Sequence, residues 1–322
     1  MGKKSDIDYY VKNAYRALAE FLAHVQPKSA SASKIAIYDY LHDRYCYVWI
    51  GENDNAFALR IYLEAEDFVN YLETACETDD FYSESALIGQ NYTAVYLMCE
   101  EALSEKALEI YRHYAFKWQG RWPIICQRKA GEAEKILWDK DILRTVCAVL
   151  ERLSALFREK SWASNYLAQD KAAHGDEILL IDYQNGVWQK KTMSIKKLYA
   201  ELAPKEFPNP FLLNRLAQKK SDGEMYEMSW FYIPVEQQTA DSRYYPLYAN
   251  LVNLADGRVV FSALSQPPES REQLIEQLVK KLAQMEKRPE VIVTADYILW
   301  RYLDDFCQKS GIILRYIEEG IV

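Results

Sequence analysis

The chain has 322 residues, half of them hydrophobic and 14% aromatic, with 25 tyrosines and eight tryptophans, which is enough apolar material for two cores and excludes a disordered composition. The formal net charge of −8 argues against a protein dedicated to coating DNA or an anionic membrane. No apolar run approaches the roughly 18 residues needed to span a bilayer, so no membrane partner is expected.

The first element is an amphipathic helix over 6–24, with Tyr10, Ala14, Leu18, Phe21 and Leu22 on or near one face. Lys12, Arg16 and Glu20 interrupt it, which is not the pattern of a signal peptide. Pro27 and "KSASAS" end it. "KIAIYDYL" and "RYCYVWIG" read as an antiparallel pair joined around His42–Arg44, followed by the strand "AFALRIYL". "EAEDFVNYLETAC" is a helix with acids in its first turn, where the macrodipole favours them. The strand "YTAVYLMCE", a helix capped at Ser104 and the strand "WPIICQR" come next. The longest helix, 141–159, carries Ile142, Val146, Val149, Leu150, Leu153 and Phe157 at helical spacing, with Asp139 as its N-cap. Residues 1–160 thus read as an α+β domain with a mostly antiparallel sheet and flanking helices.

The middle, 161–240, reads as a hairpin-rich connector with a linker at 161–175. Its clearest signal is the Asn185-Gly186 turn in "DEILLIDYQNGVWQKKTMSI". The C-terminal domain, 241–322, has the order β-β-α-β-α-β. A hairpin turns at Asp256-Gly257, and a helix opens on a capping box of Ser270 and Gln273. That helix buries Leu274, Leu278 and Leu282. The strand "EVIVTA", a helix ended by Gly311 and the strand "IILRYI" complete the order. The fold class expected is α+β, in two mixed domains.

Most familiar chemistries lack their residues. No two of the 11 glycines are closer than nine positions, whereas dinucleotide and phosphate loops need glycines within about five residues so that the backbone can approach phosphate. There is no nucleophile elbow and no zinc-protease helix motif. His24, His42, His113 and His174 are scattered, and Cys46, Cys76, Cys99, Cys126, Cys147 and Cys307 have no metal-ligand spacing. The cysteines read as free, buried small hydrophobes in a reducing cytosol, so the localisation expected is cytoplasmic. No metal and no cofactor is expected.

One carboxylate stands out. Asp296 follows the buried strand 291–294 and precedes a helix, where α/β proteins often place chemistry. The C-terminal order resembles ribonuclease H-like nucleases and transposases, which hold two metal ions roughly 4 Å apart with three or four carboxylates. That resemblance implies Asp296 as the second carboxylate and demands an acid inside the first strand. Residues 247–254 contain none, and only Glu318 and Glu319 follow the last strand. The competing reading makes Asp296 the N-cap of the following helix, and it is the one preferred.

A broader resemblance rests on Gly120, Trp122 and Pro123 ahead of the long helix, and on Arg288-Pro289, strand, helix, Ser310-Gly311-Ile312, strand. With these motifs the chain resembles a family of uncharacterised bacterial proteins built from two domains of unknown function. The resemblance implies a bacterial, cytoplasmic, two-domain α+β protein and brings no catalytic residues.

Charge is uneven. Residues 51–110 carry 14 acids against two bases, while 186–220 is dominated by lysines. The functional expectation is a non-catalytic protein that binds a macromolecule through Lys190, Lys191, Lys196 and Lys197 with the aromatic Trp230 and Tyr232. Bases and aromatics together suit an acidic protein surface or, against the net charge, single-stranded nucleic acid. The alternatives are a degenerate ribonuclease H-like or other hydrolase using Asp296, and a homo-oligomer in which the acidic region of one copy meets the basic region of another.

Overall fold

The computed structural model describes residues 2–24, 33–52, 57–77, 87–114, 116, 118, 120–136, 139–158, 176–184, 186–239, 243–265 and 271–317. The chain forms two compact units, each assembled from separate stretches: 1–68, 91–128 and 134–201 in the first, and 69–90, 129–133 and 202–322 in the second. The fold is α+β, as expected.

In the first unit, α1 (Gly2–His24) precedes β1 (Ser33–Asp39), β2 (Arg44–Glu52) and β3 (Phe57–Tyr62). Helix α2 (Ala65–Glu77) begins there, and β4 (Tyr92–Met98), α3 (Glu105–Tyr114), β5 (Trp122–Arg128), β6 (Lys135–Ile136) and α4 (Lys140–Arg158) follow. β7 (Glu177–Gln184), β8 (Val187–Ser194) and α5 (Ile195–Glu201) complete it. The eight strands lie in the order β6-β5-β4-β3-β2-β1-β7-β8, and all pairs are antiparallel except β1–β7. Alternation along the strands sends Val48, Ile50, Leu59, Ile61 and Val95 into one core with Leu18 and Phe21 of α1 and Val149, Leu150 and Leu153 of α4. Helix α4 begins where its cap predicts: the Asp139 carboxylate accepts from the Asp141 and Ile142 amides at 2.9 and 3.1 Å.

The second unit holds α6 (Pro210–Ala217), β9 (Met225–Tyr232), β10 (Gln237–Gln238), β11 (Arg243–Tyr244), β12 (Leu247–Asn253) and β13 (Val259–Ser265). α7 (Arg271–Gln284), β14 (Val291–Thr294), α8 (Tyr297–Ser310) and β15 (Ile313–Tyr316) end it, giving the expected β-β-α-β-α-β order over 247–316. The five-stranded sheet runs β13-β12-β9-β14-β15, with β9, β14 and β15 mutually parallel and β12 antiparallel to both its neighbours. Met228, Ala249, Leu251, Phe261 and Ile292 are buried on it, as are Leu274, Leu278 and Leu282 of α7 and Leu303 and Phe306 of α8. Gly311 ends α8 in the left-handed conformation, φ 72°, which its lack of a Cβ allows.

Two expectations need correction. The stretch 161–240 is not a connector in its own right: β7 and β8 extend the first sheet through parallel pairing with β1, and β9 is the central strand of the second. The physical reason is that both placements come from pairing with distant strands, which local turn signals do not encode. Cys99, expected among buried thiols, is exposed. The linker 161–175, Asn185, Ser270, His174, Glu318, Glu319 and the side chains of His24 and Cys76 lie outside the described residues.

Candidate functional site

β9 pairs with β12 from Tyr226 to Tyr232, but with β14 only from Met225 to Glu227. β14 stops at Thr294, so beyond Glu227 the two strands part. A crevice of about 500 Å³ opens there, at the carboxyl ends of parallel strands. This is where open sheets with helical crossovers characteristically bind ligands. Its floor is β9 from Glu227 to Tyr232, and the turn Thr294–Asp296 and Arg271 of α7 form a wall. Asn70, Glu73, Thr74 and Gly89 close it, all of them from the inserted stretch 69–90 of the same unit.

Asp296 is held on both carboxylate oxygens. One accepts the Leu299 amide at 2.8 Å and caps α8; the other accepts Trp230 Nε1–H at 2.5 Å. Burial pushes its carboxyl above the usual range, against the lowering effects of the Leu299 amide, the indole N–H and the Arg271 guanidinium. The Arg271 guanidinium lies 5.2 Å from the Trp230 ring centroid and donates to Gly89 O at 3.2 Å. Tyr302 packs edge-on to the indole, with centroids 5.4 Å apart, and its hydroxyl donates to Glu272 at 3.1 Å. The insertion is tied down by Asn70 Nδ2 donating to Gly89 O at 2.6 Å and Gln90 Nε2 donating to Thr74 at 3.0 Å. Tyr316 donates to Glu73 at 3.4 Å.

Three of the residues singled out in the sequence, Trp230, Tyr232 and Asp296, therefore meet in one crevice. The four lysines belong to the other unit. Lys190 and Lys191 sit on the edge strand β8, where Lys191 pairs with Asp182 at 3.3 Å; Lys196 and Lys197 are exposed on α5, and Lys197 lies 3.7 Å from Glu201. Arg271, Glu73, Asn70 and Gly89 carried no local signal, because only the tertiary fold brings them to β9.

Among the described residues no group of three or more His, Cys, Asp and Glu could hold a metal ion. The strand that starts the second sheet is β9, so an acid partner for Asp296 has to be sought there. β9 offers Glu227, which by strand alternation lies on the sheet face opposite Trp230. Trp230 is the β9 residue bonded to Asp296.

This geometry defines an α+β domain: a mixed sheet with two helical crossovers and a polar, aromatic cleft at its carboxyl end. Residues 212–320 match a sequence family described as a domain of unknown function (DUF6930), a span covering this sheet and its crossovers. No curated protein matches the chain. Among the described residues, no helix is long and apolar enough to cross a membrane.

Proposed function

We propose that the chain is a bacterial, cytoplasmic, non-catalytic binding protein whose recognition site is the crevice of the second unit. The observation that carries this reading is the state of Asp296. Both of its oxygens accept from groups of the fold itself, the Leu299 amide at the start of α8 and the Trp230 indole, so the carboxylate serves to fix the helix start and the indole beside the cleft. Around that fixed core the cleft presents an indole, a phenol, a guanidinium and amide groups, the mixed polar and aromatic lining of recognition sites. The bacterial and cytoplasmic parts rest on the motifs at Gly120–Pro123 and Arg288–Ile312 and on the absence of paired cysteine spacing.

The test is tryptophan fluorescence of the whole protein against panels of amines, nucleotides and short peptides, repeated with Trp230→Phe and Asp296→Asn. Saturable binding weakened in both variants is expected. The alternative, a degenerate ribonuclease H-like hydrolase, has one observation in its favour: an acid at the end of the strand between two crossover helices. Hydrolysis of nucleic acid in magnesium or manganese that Asp296→Asn abolishes would replace the binding reading with it.

A further inference from the structure

The edges of the two sheets are treated differently. In the first unit the edge strand β8 carries Lys190 and Lys191, the charged side chains that discourage a further strand from adding to an open edge. In the second unit β9 is central, yet from Met228 to Tyr232 no strand among the described residues pairs with the edge that faces β14. Those five residues are held straight by β12 on the other side. They offer about 16 Å of strand edge along the crevice floor. Lysine and proline are absent from them, and Gly89 on the crevice wall, one of two glycines against Tyr232, carries no side chain.

The walls carry a sign. Glu73, Glu227 and Asp296 line the crevice against the single guanidinium of Arg271, which is engaged with Gly89 O and the Trp230 ring. A strand edge recognises the amide backbone of an extended chain whatever its sequence, and pockets at alternate positions select side chains. Resting on the reading of the crevice as a binding site, we propose that its occupant is an extended segment of a partner protein that pairs with the open edge of β9 and directs one lysine or arginine side chain at Glu73 on one face of the sheet and the next at Glu227 on the other. A cavity of about 500 Å³ is of the size that takes a few residues of such a segment.

The probe is a fluorescein-labelled hexapeptide with two adjacent lysines between valines, so that one lysine points to each face of the added strand, titrated into the whole protein by fluorescence anisotropy. Two controls replace lysine by glutamate, or methylate alternate backbone nitrogens. Saturable binding is expected, weakened about ten-fold or more by either control. The double variant E73Q/E227Q should weaken it several-fold and flatten its salt dependence, and hydrogen exchange at Met228–Tyr232 should slow when the peptide binds. A methylated peptide that binds equally well, or exchange that does not change, overturns strand pairing. If the peptides fail but benzylamine binds in a way that Asp296→Asn weakens, the strand-pairing proposal falls and the crevice reading stands. If the peptide binds wild type, W230F and E73Q/E227Q alike, it binds elsewhere and the strand-pairing proposal falls; the crevice reading falls with it if benzylamine binding is also unaffected by Asp296→Asn.

Discussion

Trp230 donates its indole N–H to Asp296 across 2.5 Å, while the other oxygen of the same carboxylate caps helix α8 through the Leu299 amide. One side chain thus joins the end of β14, the start of α8 and the floor of the crevice. Asn at 296 has one oxygen where Asp has two. If that oxygen caps the helix, its amide nitrogen meets the indole donor to donor, so one of the two bonds is lost. Asp296→Ala loses both: about 1 kcal/mol for the cap and about 1–3 kcal/mol for an indole N–H left without an acceptor. Urea unfolding should rank wild type above Asn above Ala; an Ala variant as stable as wild type would refute this role.

The same carboxyl has a pH signature. Burial raises its pKa above the ordinary aspartate value despite its donors. The folded state therefore binds more protons than the unfolded state in the window between those two values, and stability falls as pH rises through it. The stability of wild type relative to Asp296→Asn should be greatest in acid and decline across that window. A difference that grows with pH would mean that the donors outweigh burial.

Gly131 and Gly89 flank the same tyrosine and should respond differently. A Cβ at Gly131 would lie 2.8 Å from the Tyr232 ring, on a residue with φ +75°. The Gly131 amide donates to Ile88 O at 2.8 Å and its carbonyl accepts from Tyr245 at 2.6 Å, so the backbone is fixed on both sides. Gly131→Ala should cost about 1–2 kcal/mol for the left-handed conformation, plus the displacement of Tyr232. At Gly89 the nearest atom to a Cβ is 3.4 Å away, an ordinary contact. Tyr232→Ala should relieve part of the Gly131→Ala cost in a double-mutant cycle and leave Gly89→Ala unaffected.

What the sequence disclosed follows the range of the interactions. Helix α4, its Asp139 cap, the Gly311 terminus and the Asp296 cap are local, decided within one or two turns, and each is readable from spacing alone. β9 was not. "MYEMSWFY" lacks a clean polar alternation and sits between a lysine-rich loop and Pro234. It becomes a central strand only by pairing with Leu247–Asn253 and with Val291–Val293 far along the chain. The crevice inherits that difficulty: Glu73 and Gly89 reach it from an insertion, and Arg271 from a helix start, so no spacing between them carries information. Trp230 and Tyr232 stand out in the sequence as aromatic composition alone; pairing with β12 and the bond to Asp296 place them at the crevice.

Thiol reactivity should separate the five described cysteines. Cys99 is exposed, whereas Cys46, Cys126 and Cys307 are buried and Cys147 is partly so. Burial pushes the Cys46 thiol up to about 12, and burial with the nearby Glu151 does the same for Cys147. Cys126 and Cys307 are pushed up by burial as well. The thiolate is the reacting species. Iodoacetamide at mildly alkaline pH, followed by peptide mass spectrometry, should therefore label Cys99 first among these five, and all of them in urea. Native labelling of Cys46 at the rate of Cys99 would contradict its burial.

Arg60 on β3 is fully buried opposite Trp49 on β2, its guanidinium 4.7 Å from the indole ring and 5.4 Å from the Tyr92 ring. Burial alone would lower its pKa, but Tyr62, Tyr96 and Tyr92 outweigh this, and the arginine stays charged. The hydroxyls of Tyr96 and Tyr92 donate to Glu134 at 2.9 and 3.1 Å, which links the aromatic shell to a carboxylate. The Trp49 ring lies across Gly51 so closely that a Cβ there would come within 2.0 Å of it. Any side chain at 51 must therefore move the indole from beside the guanidinium. Gly51→Ala should cost about 1–3 kcal/mol, the usual range for overpacking, and alter the near-ultraviolet circular dichroism of the tryptophans. Adding Trp49→Leu to Gly51→Ala should cost less than the two separate losses combined, because both act on the same contact; strict additivity would show that the glycine is not there to admit the indole.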